Sequence, residues 1–213
     1  MHTLLDHFIT ALVTLFVVID PLANIPVFLA MTIKYDPSQR RRTCRRAVLF
    51  AGGVLTAFAL LGDRILALFG ITIPAFRVVG GVILFIIAFQ MLQGRQPATR
   101  HTPEEQEEGA EKEDVSIVPL AIPVLSGPGA ITTVLVLISQ REAGPALLAV
   151  ILAAIWINCI VTWIILRNSE YLVGILGKTG VRVLIRLMGL LLAAMAVQFI
   201  MDGVDLYLSR HAG

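Results

Sequence analysis

The chain has 213 residues, of which 57% are apolar and only 15% charged, and its mean hydropathy is +0.84. Soluble domains carry about 25% charged residues, so this composition belongs in a bilayer, where the length leaves room for six spans of about 20 residues and no large soluble domain. A net charge of +2 is too small to suggest a nucleic-acid partner.

The hydrophobic pattern places spans at 8–33, 46–62, 73–93, 115–139, 144–166 and 183–204. No basic n-region precedes the first apolar stretch and Asp20 interrupts it, which argues against a cleavable signal. Within that first span runs Asp20-Pro21-Leu22-Ala23-Asn24-Ile25-Pro26-Val27-Phe28. Proline lacks the N–H donor and clashes with the preceding turn, so the helix must break there. Asp followed by Pro is a helix-start signal, with Asp20 as the N-cap and Pro21 at the first helical position. A carboxylate at that depth costs about 2.5 to 3.5 kcal/mol on insertion scales and needs a partner. A substrate ammonium, a proton or sodium ion, and the capped N–H groups all qualify.

The basic cluster Lys34, Arg40, Arg41, Arg42, Arg45 and Arg46 follows, before the second span. Gly52-Gly53 there, Gly80-Gly81 in the third span and Gly189 in the sixth suit close helix approach. Arg77 and Arg186, at the starts of the third and sixth spans, read as snorkelling anchors. Residues 94–114 hold Glu104, Glu105, Glu107, Glu108, Glu111, Glu113 and Asp114 among Pro, Thr and Gly, the composition of a solvated tether. The fourth span contains Pro119-Leu120-Ala121-Ile122-Pro123, then Ser126-Gly127-Pro128-Gly129-Ala130-Ile131-Thr132-Thr133. Ser126 or Gly127 before Pro128 repeats the helix-start signal inside a membrane-length segment. Asn158, Gln90 and Gln198 read as interhelical hydrogen-bonding residues. Cys44 and Cys159 are too far apart in the pattern to pair, and no metal-ligand spacing occurs.

Basic residues are unevenly divided. Thirteen (Lys34, Arg40, Arg41, Arg42, Arg45, Arg46, Arg95, Arg100, Lys112, Arg167, Lys178, Arg182, Arg186) fall on one side of the expected topology and four (Arg64, Arg77, Arg141, Arg210) on the other. The positive-inside rule then puts both termini outside the cytoplasm and the acidic linker inside.

The two halves share landmarks. Asp20-Pro21 and Gly127-Pro128 are 107 positions apart; Arg77-Val78-Val79-Gly80 recurs as Arg186-Leu187-Met188-Gly189 at an offset of 109. The wording Pro-Leu-Ala…Ile-Pro-Val at 21–27 and 119–124 offers a second alignment. A three-span unit used twice inserts its second copy upside down, so the expected fold is all-α, six helices as two inverted three-helix repeats, with helices 1 and 4 broken near the midplane. The divisions are 1–93 for the first repeat, 94–114 for the linker and 115–213 for the second repeat.

A helix that opens inside the bilayer presents free N–H groups and the positive end of its dipole, a ready site for a carboxylate. The candidate substrate-binding residues are therefore Asp20, Pro21, Asn24, Ser126, Gly127, Pro128, Gly129, Thr132 and Thr133. Gly127 and Gly129 would let a ligand approach the backbone. Asn24, Ser126, Thr132 and Thr133 serve equally to satisfy freed backbone groups or to bind a ligand.

The Asp20 run, the Pro119 and Gly127 runs and Arg77-Val-Val-Gly-Gly together resemble the MarC family of bacterial and archaeal inner-membrane proteins, over nearly the whole chain and in the same motif order. The wording is closest to the YhgN-like branch; Ala23 stands where many members have glycine, and the acidic linker is longer than the family leads one to expect. The resemblance implies a fold shared with the LysE-like exporters and, from some members, transport of small neutral amino acids. Two helix N-termini for a carboxylate and one acid for an ammonium match such a zwitterion. The expectation is thus a multi-pass inner-membrane transporter working by alternating access, without metal or cofactor. Its partners are the bilayer, a small solute and a coupling proton or sodium ion, and a homo-oligomer is left open. The rivals are a multidrug exporter, a channel and an intramembrane enzyme. The enzyme is disfavoured by the lack of HExxH, Gly-x-Ser-x-Gly and Gly-x-Gly-Asp motifs, Leu60 standing where the last would need glycine before Gly62-Asp63.

Overall fold

The computed structural model describes residues 4–94, 125–139 and 144–211; the acidic linker beyond Gly94 and the Pro119–Pro123 motif fall outside the described residues. Every regular element among them is a helix: α1 (Leu4–Ile19), α2 (Ile25–Met31), α3 (Pro37–Leu68), α4 (Ile73–Leu92), α5 (Pro128–Ser139), α6 (Gly144–Arg167) and α7 (Ser169–His211). Four stretches are long and apolar enough to cross a membrane, namely Pro37–Gly62, Ile73–Leu92, Pro145–Arg167 and Thr179–Ser209. The remaining helices, α1 with α2 and α5, are short and correspond to the two segments whose motifs foretold a break.

Helix α3 extends well past the expected 46–62, because hydropathy marks the apolar stretch whereas capping decides where a helix starts. Asp36 Oδ1 accepts from the Ser38 and Gln39 N–H groups at 2.7 and 2.8 Å, and Gln39 returns a bond to the Asp36 N–H. With Pro37 in the first turn this capping box carries the arginine-rich segment into the helix. The far end stops in a Schellman motif: Gly70 is left-handed at φ 64°, and the Ile71 and Gly70 N–H groups reach Leu66 O and Ala67 O. Helix α7 is likewise longer than the expected 183–204 and is kinked at Gly177, where φ 64° and ψ 173° suit a residue without a Cβ.

Small residues set the packing. A Cβ on Gly81 would meet Ile200 and the Ala196 carbonyl; on Gly189, Met91 and the Ala88 carbonyl; on Gly203, Val78 and the Pro74 carbonyl. Partners on α7 therefore fall in number as α4 rises, so α4 and α7 are antiparallel and nearly in backbone contact. Gly52 packs tightly on Cys159 and Trp156, whereas Gly53, expected to do the same, has open space beside it. Asn158 crosses from α6 to donate to Leu12 O on α1 at 3.1 Å, the expected interhelical bond. Gln198 instead bonds Asp202 one turn along its own helix.

The centre of the molecule is its shortest membrane element after α2. Helix α5 touches α1, α3, α4 and α6, and residues 129, 130 and 132–138 are all buried. The long α7 is the reverse, with only 22% of its span buried. Side chains such as Val183, Leu187, Leu190 and Val197 are exposed, as lipid contact would have them.

Candidate functional site

The first break is built from side chains. Asp20 ends α1 in a left-handed conformation, φ 49°, unusual for a residue with a Cβ but best tolerated by Asp and Asn. Its N–H still bonds Phe16 O at 2.9 Å, and one isolated turn follows, in which Asn24 N–H reaches Asp20 O at 3.3 Å. The Asp20 carboxylate accepts from the Ala23 N–H at 3.2 Å. Asn24 turns back and donates to the Ile19 carbonyl at 2.9 Å, taking up an acceptor that the broken helix would leave bare. Asp20, Pro21 and Asn24 are all buried.

This corrects the expected helix start. Two prolines, Pro21 and Pro26, each suit a first turn, and the helix begins at the second. Asn24 occupies the N-cap position of α2, Pro26 lies in the first turn, and no side chain caps it. Asp20 performs capping chemistry toward the N–H three residues on, but for the isolated turn. The break also lies off-centre, after 16 residues of α1 and before only 7 of α2.

The second break follows the expectation. Helix α5 opens at Pro128, and Ile131 N–H bonds Gly127 O at 3.1 Å. Thr132 and Thr133 fold their hydroxyls back onto Pro128 O and Gly129 O at 2.8 and 2.9 Å. Both bonds run to the carbonyl four residues earlier in the same helix and so satisfy the hydroxyl protons themselves. Ser126 is buried beside them.

Gly127, Pro128, Gly129 and Ala130 line a pocket with Val18, Ile87 and Leu125, a cavity of about 10 Å³ with room for a single water. A neighbouring pocket, also of about 10 Å³, is walled by Ile19, Val48, Ala51, Leu55, Leu125, Cys159 and Thr162, so Leu125 borders both. Val18 and Ile19, the two residues before Asp20, thus join the breaks: the end of α1 meets the beginning of α5. Asp20, Pro21 and Asn24 lie behind them, and neither pocket is lined by these residues, by Ser126, or by Thr132 and Thr133. Gly129 also has a packing part. A Cβ there would fall 2.5 Å from Leu84 and 3.5 Å from Val18, so its missing side chain seats α5 against α4 and α1. Gly80 does the same from α4, where a Cβ would come within 1.9 Å of the Thr132 methyl.

Arg77 is the residue that pattern reading placed wrongly. It turns inward and is only 8% exposed. Its guanidinium lies 3.5 Å from Ser139 Oγ, the last residue of α5, and 4.0 Å from Asp202 Oδ2 on α7. Its repeat counterpart Arg186 is exposed as an anchor should be. The register that seats Gly203 against Pro74, Arg77 and Val78 is what brings Asp202 to Arg77, and no local pattern in either segment records it. Arg40 occupies a comparable place at α2, donating to the Thr32 carbonyl at 3.1 Å and pairing with Glu170 on α7.

Known proteins agree on the kind of molecule. The profile described as "MarC family integral membrane protein" matches residues 5–208. The chain is 40% identical over 205 residues to the UPF0056 membrane protein MJ0972 of Methanocaldococcus jannaschii, covering 94% of this chain and 88% of that one. It is 36% identical over 190 residues to UPF0056 membrane protein YhcE of Escherichia coli, covering 89% and 88%. With UPF0056 membrane protein YvbG of Bacillus subtilis the identity is 36% over 193 residues, covering 90% and 91%. No solved structure matches. A full-length profile match and relatives of this similarity, on a helical fold with four membrane-length spans, make the chain a multi-pass integral membrane protein of the MarC family.

Proposed function

We propose that this protein is a non-enzymatic transporter of small neutral amino acids that works by alternating access, with the substrate carboxylate held at the N-terminal end of α5. The observation that carries the reading is the opening of α5 at Gly127-Pro128 onto a pocket inside the protein, beside the end of the broken α1. A helix N-terminus favours an anion, and unpaired N–H groups at membrane depth are tolerated where a cavity covers them. The cavity at the helix end, about 10 Å³, has room for one water only, so a substrate would enter as the helices carrying Val18, Ile87 and Leu125 part, as alternating access requires. The ammonium of a zwitterion would look to Asp20, one residue beyond the pocket wall at Ile19.

Six spans as two inverted three-helix repeats are the architecture that suits this mechanism. The antiparallel packing of α4 on α7, the third span of each repeat, supports it. The uneven division of basic residues supports an orientation with both termini periplasmic, in a bacterial inner membrane.

Uptake and counterflow of a labelled amino-acid panel in proteoliposomes, with and without proton and sodium gradients, test the reading. Small neutral amino acids should exchange, and the amide of the best substrate should compete poorly because it lacks the anionic carboxylate. Equal competition by acid and amide would remove the α5 terminus from recognition. Exchange of none of the panel would remove the substrate class. Cysteines at position 2 and in the linker, labelled from outside cells, test the topology; external labelling of the linker would sink the inverted repeat.

A further inference from the structure

Two arginines stand in matching relation to the two broken spans. Arg40, near the start of α3, donates to the carbonyl of Thr32, the C-cap of α2, and pairs with Glu170 at the beginning of α7. Arg77, near the start of α4, reaches Ser139, the last residue of α5, and faces Asp202 near the end of α7. Each arginine therefore lies at the C-terminal end of a short helix that follows a break, where a cation is favoured by the helix dipole. Each also faces a carboxylate on the same long helix. Glu170 precedes the kink at Gly177 and Asp202 lies about 37 Å beyond that kink by helical rise, so the two clusters lie toward opposite ends of the span Thr179–Ser209.

We propose that Arg40–Glu170 and Arg77–Asp202 are positioning pairs that act as two latches, one at each membrane face. Each holds the free end of a broken-span half-helix to α7, and its opening admits solvent to the pockets from that face. Arg77 and Arg40 are not offered as substrate ligands, since neither lines either of these two pockets. The latches differ in grip. Arg40 and Glu170 are in direct contact, with Glu170 73% exposed, whereas the Arg77 guanidinium is buried and stands 4.0 Å from its carboxylate. The proposal rests on the transporter reading for its purpose, but on these contacts for its geometry.

Cys159 lines the pocket next to Leu125 and serves as a native reporter in a Cys44→Ala background. A small membrane-impermeant methanethiosulfonate is applied to sealed vesicles of either orientation, using the full-length protein. Asp202→Asn should raise the Cys159 modification rate at least threefold from the Arg77 face alone, and Glu170→Gln should do so from the Arg40 face alone. The exchanged pair Arg77→Asp with Asp202→Arg should restore the slow rate. If Asp202→Asn does not fold, Arg77→Lys, which keeps the charge but loses the fork, carries the same test. Unchanged rates, or equal rises from both faces, overturn the latches, since loosened packing has no preferred side. Face-selective labelling without amino-acid exchange in proteoliposomes would leave the latches standing and remove the transport reading; exchange without face selectivity would do the reverse.

Discussion

The two breaks solve one problem by different means. At the first, freed backbone groups are answered from within: Asp20 takes the Ala23 N–H and Asn24 gives to the Ile19 carbonyl, inside a turn of five residues. At the second, Gly127 has no side chain, the threonines after Pro128 bond back to carbonyls of their own helix, and α5 is packed closely on its neighbours. Those surroundings are Gly80, Leu84 and Val18 on two sides and a pocket on a third. A break whose backbone groups are answered by its own side chains behaves as a rigid corner. A break completed by its neighbours is the one a ligand can address.

The comparison breaks most readily at Gly80. A Cβ there lies 1.9 Å from the Thr132 methyl and 2.7 Å from its Cβ, so no rotamer relieves it and α4 must move from α5. Gly80→Ala should lower stability by about 3 kcal/mol, the upper part of the usual overpacking range. Thermal unfolding in detergent measures it; a change within about 0.5 kcal/mol would mean that α5 is not held by its neighbours.

At the first break the largest loss is expected from Asp20→Ala, at about 2 kcal/mol, combining the left-handed penalty with one lost hydrogen bond. Asp20→Asn keeps both the conformation and an acceptor and should be nearly neutral for stability. The same variant separates corner from site, because near-normal transport by Asp20→Asn across a range of pH would leave Asp20 only its structural role. Asn24→Ala should cost about 1 to 2 kcal/mol, since it strands the buried Ile19 carbonyl. Asn24→Asp should be no better, a carboxylate having no proton to donate to that carbonyl.

Gly127→Ala sharpens the other side. Gly127 lines the pocket at the helix end, so an added methyl should weaken amino-acid binding by about tenfold while moving the thermal midpoint little. Binding that is unchanged, with stability reduced, would place Gly127 with Gly129 as a packing position.

The smallest effect concerns a third helix start, in water. The Gln39 backbone N–H, then the Ser38 hydroxyl and to a lesser degree its N–H, hold the Asp36 carboxyl below its ordinary value. A lowered folded pKa contributes stability that is fully present above the unfolded value near pH 4 and is lost as pH falls through the folded one. Wild type should therefore lose stability slightly relative to Asp36→Asn as pH falls from about 5 to 3, because the amide caps without titrating. Parallel pH curves for the two would show that the cap carries no charge-dependent stability.

Local pattern carried much of this molecule. Hydropathy and proline placement located four unbroken spans and the break after α1, and Gly-Pro marked the start of α5 to the residue, because the capacity to start a helix is a property of a few adjacent residues. Where two such signals competed, at Pro21 and Pro26, adjacency could not choose. The choice came from the left-handed turn at Asp20 and the bond from Asn24 to Ile19. The extra helical turns of α3 were also written in the sequence, in Asp36-Pro37-Ser38-Gln39, but in capping residues rather than in hydropathy. Tertiary structure alone decided which of two like arginines faces inward, which glycine receives a neighbour's side chain, and that the pocket forms between Val18 and Gly127. Each depends on the register of antiparallel helices far apart in the chain, set by close backbone contact at Gly81, Gly189 and Gly203 and not encoded in any single segment.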